Sequence, residues 1–339
     1  LSGCTTASDH HYVYPPGRGD MVAAEVETAR EIGVRLDLAR GSMDRGRGHG
    51  GLPPDSVVAS TEGALAATAE AIDAHHDPSP ASVTRLAVAP CSPFTVSQEL
   101  MVESAALARD KGVRLHTHLA ETVDEEEQCL EEFGCTPVEY AEELGWLGRD
   151  VWFAHAVHLS DTGIGRIAAT GTGVAHCPTS NGRLGAGICR VTELLEAGVR
   201  VGLGVDGPAS SELTPLVAEM RQALLMARAR KGPQALGARQ TLEMATLGGA
   251  RLLGRADELG SLAVGKLADL ALWRVDGLGH DVIDDPVVGL VFGGGAPLER
   301  LWVGGRGVVE RGELRTLSVE AAAARGRAAH RELLEEASR

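Results

Sequence analysis

Val113-Arg114-Leu115-His116-Thr117-His118 is the stretch on which the fold turns. It is a short run of largely apolar residues entered through Gly112-Val113, directly after the amphipathic segment 97–111. A helix-length segment, a glycine and then a short strand is the rhythm of a parallel sheet, because parallel neighbours need a long crossover and a helix supplies it. The rhythm continues in both directions. Upstream lie the runs 1–6, 34–39 and 85–89; downstream lie 151–155, 173–176 and 199–206. Segments 21–32, 61–75, 137–144 and 191–197 read as the crossover helices between them. Seven such strands are one short of the closed (β/α)8 barrel, and the absent one is expected to be the first. An open doubly wound sheet is the competing architecture, but no GxGxxG follows a strand in the place that fold requires. Past Leu252 the texture changes: 268–273, 287–292 and 301–309 read as short strands joined by turns, and 319–336 as a closing helix.

Composition narrows the function classes. The chain has 339 residues, with 32 Lys and Arg against 47 Asp and Glu, a net charge of -15, and no basic run. That balance argues against nucleic acid and anionic membrane as partners. No stretch of roughly 20 apolar residues is present. The six cysteines form no CxxC pair, and a chain of this length needs no disulfide staples, so a reducing, cytoplasmic setting is expected.

The chemistry is suggested by where polar residues fall. His118, His155, His176 and Asp206 each end a predicted strand, and in a (β/α) barrel those ends share the face that holds active sites. Packing alone favours apolar residues there. Imidazole and carboxylate without nearby cysteine pairs suit one catalytic divalent metal, Zn²⁺ or Fe²⁺, and hence hydrolysis. Glu121, three residues beyond His118, is the candidate proton carrier; its alternative reading is an acid at a helix start, since Glu125, Glu126 and Glu127 follow.

The runs His116-Thr117-His118-Leu119-Ala120-Glu121-Thr122, Ala154-His155, His176-Cys177-Pro178-Thr179-Ser180-Asn181 and Gly204-Val205-Asp206-Gly207 resemble the amidohydrolase superfamily, in its branch of cytosine deaminases, guanine deaminases and chlorohydrolases. The resemblance implies an α/β fold of the metal-dependent hydrolase type: a (β/α)8 TIM barrel over 1–255 lacking its first strand, the C-terminal part of a small β-sandwich over 256–315, and a C-terminal helix over 316–339. It also implies that His118 and Asp206 are metal ligands, that Glu121 shuttles protons, that His155 orients the hydrolytic water and that Asp206 doubles as base. His116 reads as a neighbour, because three βα units precede it, whereas the family's HxH sits on strand one. No such HxH occurs here; His10-His11 and His75-His76 have the wrong spacing. The expectation is therefore a chain lacking an N-terminal segment, which as it stands binds metal weakly and turns over little. With only Lys111, Lys231 and Lys266, none on strand four, a single metal is expected.

Segments 2–12 and 40–54 resemble 8-oxoguanine deaminases. Cys91 stands where guanine deaminases place an arginine, and it is a candidate substrate contact, as are His10, His11, Tyr12 and Asn181. The implied reaction is deamination of an oxidised purine, 8-oxoguanine to urate and ammonia. Isoxanthopterin and an s-triazine are the alternative substrates, and a catalytically dead barrel acting as a binding protein is the alternative class. The resemblance further suggests a homo-oligomer.

Overall fold

A computed structural model describes residues 1–212, 215–293 and 295–338. Its main sheet is parallel throughout and contains β1 (Thr6–Ala7), β2 (His10–His11), β3 (Arg35–Ser42), β4 (Thr84–Pro90), β5 (Arg114–Leu119), β6 (Val151–His155), β7 (Gly173–His176) and β8 (Arg200–Leu203). The short segments β1 and β2 lie one after the other along β3, pairing with Arg35-Leu36 and Ala39-Arg40 respectively. From β3 onward the strands pair in chain order through β8. Seven neighbouring lanes of a (β/α)8 barrel result, with helices on the outside.

Local sequence explains the punctuation. The helix Gln98–Lys111 starts at Ser97, whose hydroxyl accepts from Leu100 N, and stops at Gly112, which takes a left-handed φ of 66°. Only glycine adopts that conformation freely. The Val113 amide then returns to the Ala108 carbonyl, and the chain turns straight into β5. The helix Val123–Phe133 repeats the scheme with Thr122 as cap and Gly134 as stop.

Two elements of the C-terminal region depart from the sequence expectation. The run 287–292 is not a strand: Pro286–Phe292 is a helix, with Pro286 in its first turn and Asp285 accepting from Val287 N at 2.9 Å. A continuous apolar run of this length carries no periodicity that separates strand from helix, and the Asp-Pro start decides it. The run 301–309 is two strands, because Gly304 and Gly305, at φ of 57° and 80°, turn the chain back on itself. The resulting antiparallel sheet contains β9 (Leu270–Trp273), β10 (Leu298–Val303), β11 (Arg306–Glu310) and β12 (Glu313–Leu314). It encloses its own small core of Leu298, Leu301, Val308 and Val309. Arg35, at the start of β3, joins this sheet to the barrel through a two-toothed pair with Asp269, at 2.9 and 3.1 Å. The closing helix runs Val319–Ala337. Among the described residues no helix is long and apolar enough to cross a membrane.

Candidate active site

Strand alternation aims His116 and His118 to the same face of β5, one layer apart. His116, the deeper, stacks on Trp152 with ring centroids 4.8 Å apart, and its Nδ1 donates to the Trp152 carbonyl at 3.1 Å. Burial first, and the neighbouring His118 second, push it down to about 3, so it is a neutral core residue. His118 sits at the mouth. Its Nδ1 lies 2.8 Å from the Cys91 carbonyl, an acceptor only, so Nδ1 carries the proton and the Nε2 lone pair is left free. A histidine oriented in this way through its far nitrogen is a typical metal ligand. The Cys91 carbonyl also accepts from the Thr117 hydroxyl at 3.1 Å and from the His118 amide at 3.0 Å, which makes this peptide the anchor of the end of β5.

Glu121 follows directly. It belongs to no helix, since Thr122 is the cap of Val123–Phe133; the helix-start acid is Glu125, whose own amide bonds to the Thr122 hydroxyl. The Glu125 carboxylate is fully buried and accepts from Ala120 N at 2.7 Å and Glu121 N at 3.1 Å, holding the turn that presents Glu121. Burial pushes the Glu125 carboxyl up to about 7. Burial likewise raises that of Glu121, with His118 opposing and Asp206 adding to the rise. The Glu121 Oε2 lies 3.7 Å from His155 Nε2.

His155 ends β6 and stacks on His118 at 5.3 Å. Its Nδ1 donates to Asn181 Oδ1 at 2.9 Å, which turns Nε2 toward Glu121. Asp206 lies three residues beyond β8. Its Oδ1 accepts from Gly207 N at 2.7 Å, and its Oδ2 accepts from the Ser210 hydroxyl at 2.9 Å and from the Ser180 hydroxyl. Burial raises its carboxyl, but these donors outweigh burial and hold it below the ordinary carboxylate value. Ala120, His155, Ala156 and Asp206 all have positive φ, at 53°, 69°, 49° and 62°. Left-handed backbone at non-glycine residues costs of order 1–3 kcal/mol each and persists where surrounding contacts over-determine it. Here it marks the strand ends that aim these side chains.

The remaining candidates divide. His10 is brought in: it bonds the Ala89 carbonyl at 2.8 Å and stacks on His118 at 4.7 Å. Tyr12 meets the His118 ring edge-on at 5.8 Å. The buried Cys91 thiol lies 4.0 Å from His118 Nδ1. His176 is buried beside His155 and pushed down to about 3 by desolvation, with neither ring nitrogen bonded among the described residues. His11 is directed elsewhere: adjacent strand residues face opposite sides, and its ring pairs with Glu25 and stacks on Tyr14. Asn181 is buried against His155, so its oxygen serves that histidine. Sequence reasoning missed Glu125, Ser180 and Ser210; the only local signal was the cap pattern Thr122-x-x-Glu125.

His118 Nε2 and the Asp206 carboxylate suit a divalent metal in donor type. They are two donors, and among the described residues no group of three or more His, Cys, Asp or Glu side chains is set to hold an ion.

Imidazoles and carboxylates gathered at the C-terminal face of a (β/α) barrel, with the Glu121 carboxyl beside them, are the side-chain types that hydrolases of this architecture use. Residues 1–304 match the amidohydrolase family, and the chain belongs to it. It is 45% identical to the 8-oxoguanine deaminase of Pseudomonas aeruginosa over 97% of this chain and 73% of that protein. It is 39% identical to an isoxanthopterin deaminase of an unknown prokaryote, over 99% of this chain and 73% of the relative. Atrazine chlorohydrolase from Arthrobacter aurescens TC1, solved with zinc, superposes with a TM-score of 0.91 at 34% identity, covering 97% of this chain and 73% of the other.

Proposed function

We propose that this chain is the catalytic barrel, over residues 1–255, of a hydrolytic deaminase that converts 8-oxoguanine to urate and ammonia. The observation that carries the reading is the convergence of His118, Glu121, His155 and Asp206 at one mouth, with His118 Nε2 left free by the bond its Nδ1 makes to Cys91. The identity to the Pseudomonas 8-oxoguanine deaminase supports the substrate.

A zinc ion held by His118 and Asp206 would supply the Lewis acidity that makes water nucleophilic near neutral pH. The chain's own groups do the rest. His155, its Nδ1 fixed by Asn181, uses Nε2 to orient the attacking water. Asp206, held ionised by Ser180, Ser210 and the Gly207 amide, takes a proton from that water as the new C–O bond forms at C2 of the purine. Glu121, whose carboxyl burial raises above its ordinary value, gives a proton to the ring nitrogen beside C2 and regains one from the newly bonded oxygen, while the proton held by Asp206 passes to the departing amine. The C–N bond breaks and ammonia leaves. Tyr12, His10 and the Cys91 thiol line the approach to His118.

The test is ammonia release from 8-oxoguanine, guanine, isoxanthopterin and a hydroxytriazine by the full-length zinc-loaded protein. Preference for 8-oxoguanine that Asp206→Asn and Glu121→Gln both abolish is the expected result. Preference for isoxanthopterin, which shares the 2-amino-4-oxo edge, overturns the substrate; release from none of the four overturns the heterocycle class.

A further inference from the structure

Between β7 and the helix Val191–Glu196 lies the short helix Pro178–Leu184, and two consecutive residues on it hold two different groups of the site. Ser180 bonds Asp206, and Asn181 bonds His155. Whatever sets the position of this helix therefore sets both at once. Its own start provides little: Cys177, the cap residue, makes no side-chain bond to the first turn, and Pro178 offers no amide. The open amide of Thr179 is instead met by Glu219, forty residues downstream on the helix Leu216–Lys231, whose Oε2 accepts at 3.2 Å. Glu219 is completely buried, and its Oε1 has no bonding partner among the described residues. A carboxyl group in that setting is expensive to keep, and an apolar residue of similar volume would be the cheaper core choice. Its carboxylate is turned to Thr179, the residue immediately before Ser180 and Asn181.

We infer that Glu219 is a positioning residue for the reaction: it caps the helix Pro178–Leu184 from a distance and so fixes, through Ser180 and Asn181, the aim of Asp206 and His155. This rests on the reading that those two groups act in catalysis. Glu219 touches neither substrate nor metal. Its loss shifts the helix start, and a displacement of the order of an ångström in two reacting groups acts on turnover more than on binding.

The experiment uses the full-length zinc-loaded protein. In Glu219→Ala, kcat for ammonia release is expected to fall by ~10- to 100-fold while KM stays within about threefold. Glu219→Gln retains an oxygen that accepts the Thr179 amide and is expected to recover most of the loss; Glu219→Asp, one methylene too short to reach, is expected to resemble the alanine variant. Amide exchange over residues 179–184 is the arm independent of substrate: it is expected to quicken by about tenfold or more in the alanine and aspartate variants and to stay at the wild-type rate in the glutamine variant. A fall in kcat that glutamine does not rescue overturns the proposal. So does exchange at 179–184 that is unchanged in all three, and this result stands even if every substrate assignment is wrong. An alanine variant that fails to fold shifts the decision to the glutamine and aspartate pair. Ammonia release from none of the four substrates by the wild type, with exchange quickened as expected, sinks the deaminase reading and leaves the brace intact.

Discussion

Replacing Glu125 with glutamine tests how the turn that carries Glu121 is held. In the native protein this buried carboxyl accepts from the amides of Ala120 and Glu121, and burial lifts it from an ordinary 4.5 to about 7. An acid whose folded value lies above its unfolded value binds more protons when folded, so its contribution to stability is complete below the unfolded value and is lost as pH rises to the folded one. The window is pH 4.5 to about 7, and the rise corresponds to about 3 kcal/mol across it, a sizeable part of a typical folding free energy of about 5–15 kcal/mol. Urea unfolding of wild type and Glu125→Gln at intervals from pH 4.5 to 8 isolates this group, because other titrating residues contribute alike to both proteins. The difference between the two should shrink, or turn in favour of the variant, by about 3 kcal/mol as pH rises. Glutamine has one acceptor oxygen for two amides, so one buried N–H loses its partner, at about 1–3 kcal/mol independent of pH. Parallel pH profiles for the two proteins would refute both the burial of this charge and its role under Glu121. Turnover should fall in the same variant, since the turn at Ala120 has φ of 53° and relaxes once one of its anchors is gone.

Asp269→Ala leaves the Arg35 guanidinium buried without its carboxylate, and a loss of about 3–5 kcal/mol in urea unfolding is expected, most of it recovered by the double variant Arg35→Met with Asp269→Ala. His11→Ala should change kcat/KM by less than about twofold, because its ring pairs with Glu25 and stacks on Tyr14 away from His118; a large loss would mean that β2 faces the other way in solution. Prolonged chelation should abolish ammonia release and zinc should restore it, whereas dialysis against zinc should not restore a His118→Ala variant, in which the free Nε2 is gone.

The barrel rhythm was legible because each crossover helix carries its own signals: Ser97 and Gly112 bracket one, and Thr122 and Gly134 another. The placement of His118 and His155 at strand ends was legible for the same reason. Asp206, expected as the last residue of a strand, lies three residues past the end of β8, on a turn that its own positive φ makes possible. The run 287–292 suits either a buried strand or a short helix by its apolar character alone, and the Asp285-Pro286 start makes it a helix.

By itself the sequence determined the alternation of helix and strand, the alignment of three histidines and an aspartate along consecutive strands, and the family to which they point. Each of these is written in spacing, and spacing survives unfolding. Only the tertiary structure decided which of His10 and His11 faces the site, that Asn181 serves His155, and that Glu125 rather than Glu121 is the acid of the helix start. It also decided that Glu219 reaches back forty residues to Thr179. Those contacts join segments far apart in the chain, and they exist only because burial brings their elements together and leaves each polar group the partner it finds there.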